Sequence, residues 1–301
     1  MGVFPAMGTE VTVLAPTVAL SAEEVLTQHV ALLFDQTERV FSRFRPDSML
    51  SALNRSHAPF KVPEAMFSLL SRARGYNRLT RGLFDPTIGA ALSASGYDES
   101  FVPGALDRPT ARASAARRSP GFGGLRLDSV ARTVTRAADM QLDLGGIVKG
   151  YAVDCASRML PACSAVDAGG DAFLGGDGPD GTGWLVDIED PSDASRTVLT
   201  LRVRDSGVAT SAPNRRHWRL GDRRMHHLID PRSGEPAETD LAQATVVAPR
   251  AELADVLAKT AFLLGLRGAR DFLSQMHAVG GVLIGRHGDV ECVGRLEVES
   301  G

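Results

Sequence analysis

Apolar and β-branched residues alternate over residues 7–14, the period expected of a half-buried strand. Ser21-Ala-Glu-Glu24 then reads as a capping box opening an amphipathic helix through about Phe41. After the Arg45-Pro-Asp-Ser48 turn, residues 49–54 suit a short helical continuation. Met66, Leu69, Leu70, Ala73 and Tyr76 recur at helical spacing, predicting a helix over 63–80. Residues 82–91 are rich in turn formers, and 103–120, with their prolines, arginines and alanines, read as an irregular insertion or short helix. A β-hairpin is expected within 125–142 and a helix over 150–160. From there the pattern turns to strands at 165–167, 184–188, 197–203, 208–211 and 245–248, separated by Gly, Asp and Pro turns. Helices at 251–266 and 268–276 and a strand at 281–285 close the pattern. No internal repeat is visible. The expectation is α+β: a single domain over 1–301 of mixed or antiparallel sheet with flanking helices.

Composition narrows the function classes. The 301 residues include 33 basic and 36 acidic side chains, a formal net charge of −3, which carries no signature of nucleic-acid binding. Three cysteines, Cys155, Cys163 and Cys292, with no CxxC pair, argue against a disulfide framework or a structural zinc site. No window approaches the roughly 18 apolar residues of a membrane span. The N-terminal stretch has no basic leader followed by an apolar run, so the expected location is cytoplasmic. Only Lys61, Lys149 and Lys259 are lysines, which makes each of them conspicuous.

Four segments could carry chemistry. In Leu142-Asp-Leu-Gly-Gly-Ile-Val-Lys-Gly150 a strand end meets a Gly-Gly turn and a helix start, where exposed N–H groups and Lys149 favour phosphate. An ordinary strand-to-helix turn gives the same pattern. Val166-Asp-Ala-Gly-Gly-Asp171 could bring backbone against a planar ligand or be a tight hairpin. Arg224-Met-His-His-Leu-Ile-Asp-Pro-Arg-Ser-Gly234 contains two adjacent histidines and a good turn sequence. On a strand those histidines face opposite sides, so at most one enters a given site, as general base or hydrogen-bonding group. Asp255 and Lys259 stand at i and i+4 in a very apolar helix and share a face, as a surface pair or as a buried charged pair beside a ligand.

In order along the chain, these segments resemble the ApbE family, the FAD:protein FMN transferases. The resemblance includes Ala6-Met-Gly-Thr9, Phe41-Ser-Arg-Phe-Arg-Pro-Asp-Ser-Met-Leu-Ser-Ala-Leu-Asn54 and Gly82-Leu-Phe-Asp-Pro-Thr-Ile-Gly89. It continues through residues 142–154, Asp167-Ala-Gly-Gly-Asp171, Gly207-Val-Ala-Thr-Ser211, residues 226–234 and Ala254-Asp255. It implies an ApbE-like, T-fold-related architecture around an FAD site. It also implies Mg²⁺-dependent transfer of FMN from FAD to a threonine hydroxyl of an acceptor flavoprotein, with release of AMP. By that resemblance Met7, Phe44, Leu83, Phe84, Asp85, Asp143, Lys149, Thr210, Ser211 and His227 would contact FAD, with Phe44 stacking on the isoalloxazine. His227 would accept the threonine proton. Asp255 would bind the metal with the carbonyl of Gly146.

The chain departs from the family pattern at Lys259, which stands where a threonine usually supplies a second metal ligand. Thr260 is the alternative, but five residues on lies about 140° around the helix from Asp255. The resemblance leaves two other readings open: an FAD pyrophosphatase giving FMN and AMP, and a non-catalytic FAD-binding protein.

Overall fold

The computed structural model describes residues 1–97 and 118–299; most of the expected insertion at 103–120 lies outside the described residues. The chain divides into two compact units, the first made of residues 1–35, 147–215 and 238–301, the second of 36–146 and 216–237.

The first unit is built on one eight-stranded sheet. Its strands are β1 (Gly2–Ala6), β2 (Thr9–Leu14), β3 (Ser164–Ala168), β4 (Asp171–Gly175), β5 (Ser206–Ser211), β6 (Leu241–Ala248), β7 (Gly280–Gly285) and β8 (Val290–Gly294). Their spatial order is their order in the chain, and every neighbouring pair is antiparallel. Helices α1 (Leu20–Phe41), α5 (Val148–Ser157) and α6 (Ala251–Leu273) belong wholly or partly to this unit.

Period-2 alternation sends successive residues to two different cores. Val11, Val13, Val166 and Ala168 pack with Val30, Phe34, Ala152 and Val153 from the helices. Ala165, Leu174, Val208, Val282 and Ile284 pack with Trp184, Ile188, Leu201 and Val203. Those last residues come from a small antiparallel sheet of Trp184–Asp190, Asp193–Val203 and Glu297–Val298. Burial on both faces is why β7, Gly-Gly-Val-Leu-Ile-Gly285, is apolar throughout.

The second unit contains α2 (Met49–Arg55), α3 (Glu64–Leu79) and α4 (Gly89–Ala94), with three small antiparallel sheets. Helix α3 buries Met66, Leu69, Leu70, Ala73 and Tyr76, the stripe expected from the sequence. Ser48 caps α2, its hydroxyl accepting the Ser51 N–H at 3.0 Å. Arg136 is buried here, and its guanidinium donates to five carbonyls, those of Leu53, Asn54, Ala137, Ala138 and Met140. A buried cation is tolerated only with such satisfaction. Asn54 pairs with Leu142 as a strand neighbour would: Nδ2 donates to the Leu142 carbonyl and Oδ1 accepts its N–H, both at 2.9 Å.

The structure differs from the local expectations in two places. Helix α1 already starts at Leu20, so Ser21 is not its cap. Glu23 instead accepts the Ala15 N–H at 3.0 Å and pairs with the amino group of Met1. The first expected strand begins at Thr9, because Met7 and Gly8 form a hairpin turn at φ 52° and 68°. Two residues at positive φ match the right-handed twist of the strands they join. The two helices expected after residue 250 are present within α6, meeting at a kink where Gly265 leaves helical geometry (φ 72°, ψ 174°) and Asp240 accepts the Leu266 N–H at 2.8 Å.

Candidate active site

Of the residues implied at the site, Met7, Lys149, Thr210, Ser211, Asp255 and Thr260 belong to the first unit. Phe44, Leu83, Phe84, Asp85, Asp143, Gly146 and His227 belong to the second.

In the first unit, Lys149 lies in the opening turn of α5 and forms an ion pair with Asp171, a nearly buried residue at the start of β4. Gly169 and Gly170, at φ 69° and 93°, make the turn between β3 and β4, so the Asp-Ala-Gly-Gly-Asp segment is a tight hairpin. That turn sets Asp167 and Asp171 on either side of two glycines. Burial pushes the Asp167 carboxyl above its ordinary range, opposed by the Gly170 N–H and the charge of Lys149. Lys149 therefore stands in an acidic setting that holds its ammonium in place.

Thr210 and Ser211 end β5. The hydroxyls of Thr210 and Thr245, directly opposite on β6, share a hydrogen bond of 2.9 Å. Helix α6 presents Glu252, Asp255 and Lys259 at helical spacing, all three buried. The start of this helix is fixed from α5. Gly150 lets α5 approach so closely that an added Cβ would lie 2.6 Å from the Ala251 carbonyl oxygen. The Asp154 carboxylate accepts the N–H groups of Ala251 (2.8 Å) and Glu252 (3.1 Å).

Magnesium prefers near-octahedral oxygen ligation. On α6, Asp255 offers one carboxylate, and one turn further the ammonium of Lys259 occupies the same face. The Thr260 hydroxyl is fully buried and donates to the Val256 carbonyl at 2.8 Å, about 140° around the helix from Asp255. No group of three or more His, Cys, Asp and Glu able to hold a metal ion occurs among the described residues. The α6 donor set does not fit a magnesium ion ligated by Asp255 together with Thr260.

In the second unit, Asp143 is fixed on both carboxylate oxygens. Oδ2 accepts from Arg43 Nε at 2.5 Å and Oδ1 from the Gly145 N–H at 2.8 Å, the Asx-type turn that shapes residues 143–145. The Asp143 N–H donates to the Pro86 carbonyl at 2.8 Å. Asp85 is buried and similarly engaged. Its Oδ1 accepts the N–H (2.9 Å) and hydroxyl (2.8 Å) of Thr87, and its Oδ2 accepts the Ser119 hydroxyl. Leu83 and Phe84 are buried, Phe84 edge-on to Tyr76 at 6.2 Å. Phe44 is half-buried and packs edge-on to Tyr97 at 5.5 Å.

His226 ends the strand Arg223–His226 and His227 follows it, so strand alternation does not govern which histidine is presented. His227 Nδ1 lies 3.2 Å from the Arg216 carbonyl. A carbonyl only accepts, so Nδ1 carries the proton and Nε2 is the basic nitrogen of the neutral ring. Downstream, the Gly234 N–H (φ 77°) closes the turn onto the Asp230 carbonyl at 2.8 Å.

Three residues with central places were not singled out by the sequence pattern: Arg43, Asp154 and Tyr97. Asp154 does stand four residues after Gly150, one helical turn, in the segment already marked.

The fold is of the α+β class, a mixed assembly of helices and antiparallel sheet that matches solved flavin-transferase structures. The chain overlays the crystal structure of the ApbE protein of Thermotoga maritima with a TM-score of 0.83 at 24% identity, covering 97% of this chain and 96% of that one. It overlays the flavin transferase ApbE of Vibrio cholerae with a TM-score of 0.80 at 26% identity, covering 99% and 96%. The ApbE family model matches residues 7–283. The FAD:protein FMN transferase of Treponema pallidum is 34% identical over 293 residues, covering 90% of this chain and 78% of that protein. The corresponding protein of Salmonella typhimurium is 29% identical over 263 residues. The chain belongs to the ApbE family and is an enzyme of the transferase class.

Proposed function

We propose that this chain transfers FMN from FAD to a threonine hydroxyl of an acceptor flavoprotein, releasing AMP. The observation that carries this reading is the match over nine-tenths of the chain to a relative named FAD:protein FMN transferase. In the transfer, the threonine oxygen attacks the phosphorus on the FMN side of the pyrophosphate. The bridging P–O bond breaks, and AMP leaves with its electron pair. The threonine proton goes to Nε2 of His227, a role supported by the Arg216 carbonyl fixing the ring tautomer.

Phosphoryl transfer depends on positioning and charge neutralisation. Phe44 offers its ring to the isoalloxazine, and Met7, Leu83, Phe84, Asp85 and Asp143 shape the binding surfaces of their own units. Lys149, Thr210 and Ser211 serve the phosphates. Lys259 stands one helical turn from Asp255 on α6 and shares its face, where its ammonium supplies positive charge.

The test is incubation with FAD and a candidate acceptor domain, with and without Mg²⁺, followed by mass spectrometry. An acceptor mass increase equal to an FMN phosphoester is expected. Free FMN and AMP with an unmodified acceptor would replace the reading by FAD hydrolysis, and bound intact FAD by a carrier. Among the described residues no helix is long and apolar enough to cross a membrane.

A further inference from the structure

Arg43 takes no direct part in the proposed transfer, yet it joins Asp143 and Phe44, which do. Its Nε donates to Asp143 at 2.5 Å, both side chains being one-tenth exposed. A second nitrogen donates to the Tyr97 carbonyl. The guanidinium carbon lies 4.2 Å from the centre of the Phe44 ring and 5.2 Å from that of Tyr97. Tyr97 in turn stacks on Trp218, ring centres 5.1 Å apart and planes 14° from parallel. Trp218 is buried and anchored by its Nε1, which donates to the Ser95 carbonyl at 2.8 Å. One cation thus ties a carboxylate, a carbonyl and an aromatic face to a stack that is itself pinned.

We infer that Arg43 is a positioning residue for the flavin: it holds the Phe44 ring and the turn shaped by Asp143 in a fixed register. This rests on the proposed flavin transfer and adds to it the residue that sets the ring platform. The planar guanidinium satisfies carboxylate, carbonyl and ring face at once, whereas a lysine ammonium is a compact point charge that cannot keep all three. Asp143, held by Arg43 on one oxygen and by the Gly145 N–H on the other, fixes the backbone turn beside the Phe44 ring.

The experiment compares wild type with Arg43→Lys and Arg43→Gln in the full chain. FAD and ADP, which lacks the isoalloxazine, are titrated separately, with the visible spectrum of bound flavin and the thermal midpoint recorded. Both variants are expected to bind FAD at least about tenfold more weakly, to lose the flavin spectral shift, and to bind ADP as wild type does. Unchanged FAD affinity and spectrum in either variant would overturn the inference, Arg43→Lys included, since a point charge would then serve as well as the planar guanidinium. A parallel fall in FAD affinity, ADP affinity and thermal midpoint would reduce Arg43 to a structural role. If wild type binds neither ligand, the flavin reading itself fails, an outcome distinct from all of these.

Discussion

The Oδ1 of Asp154 accepts the N–H of Ala251 at 2.8 Å, so a side chain from α5 caps a helix that begins nearly one hundred residues later. The residue in the cap position, Arg250, makes no side-chain cap of its own. Burial pushes the Asp154 carboxyl above its ordinary value near 3.8, opposed by the two N–H groups it accepts. A raised folded-state pKa means the native state holds the proton more tightly than the unfolded chain. The resulting stability is fully present below the unfolded value and declines as pH rises through the folded one.

Asp154→Asn keeps one N–H acceptor and loses the other. It should cost about 1–2 kcal/mol at pH 7. The wild-type advantage should widen as pH is lowered toward the ordinary carboxylate value. Urea midpoints of both proteins at two pH values check this; a constant gap would show that Asp154 does not titrate in that window.

Arg136→Met removes the donor to five carbonyls while keeping much of the side-chain volume. A loss of about 3 kcal/mol or more is expected, because buried carbonyls are left without their donor. The readout is the urea midpoint, with a matched loss not seen for substitution of the exposed Arg158.

Lys259→Thr replaces the ammonium on the Asp255 face with a hydroxyl. Removing a like charge from the neighbourhood should strengthen Mg²⁺ binding by about tenfold or more. Mg²⁺ stimulation of transfer should rise with it. Titration of activity with Mg²⁺, against a chelator baseline, measures both, and identical curves for the two proteins would place Lys259 away from any metal.

His227→Ala removes the proposed proton acceptor. Turnover should fall about 100-fold while the affinity for FAD stays near wild type. Single-turnover transfer and FAD titration separate the two quantities. Equal loss of both would mean that His227 binds flavin and does no proton transfer.

Much of the fold was legible from local pattern. The α3 stripe, the hairpin at 125–136 and the strand at 184–190 follow hydrophobic periodicity, which depends only on neighbouring residues. Strand β1 was not legible, because Gly2-Val-Phe-Pro-Ala6 lacks clean alternation and is defined by its pairing with β2. The candidate site was legible mainly as ordered motifs. Geometry within each unit was not: His227 follows its strand instead of lying on it, and Arg43 joins residues 100 positions apart.

The sequence by itself determined the α+β class, the family and the departure at Lys259. These reside in residue identity and short-range spacing, which survive without knowledge of contacts. Tertiary structure decided that Lys149 pairs with Asp171, that Asp154 caps α6, and that Arg43 bridges Asp143 and Phe44. Hydrogen bonds and ion pairs act over a few ångströms in space, and only folding brings such distant residues within that reach.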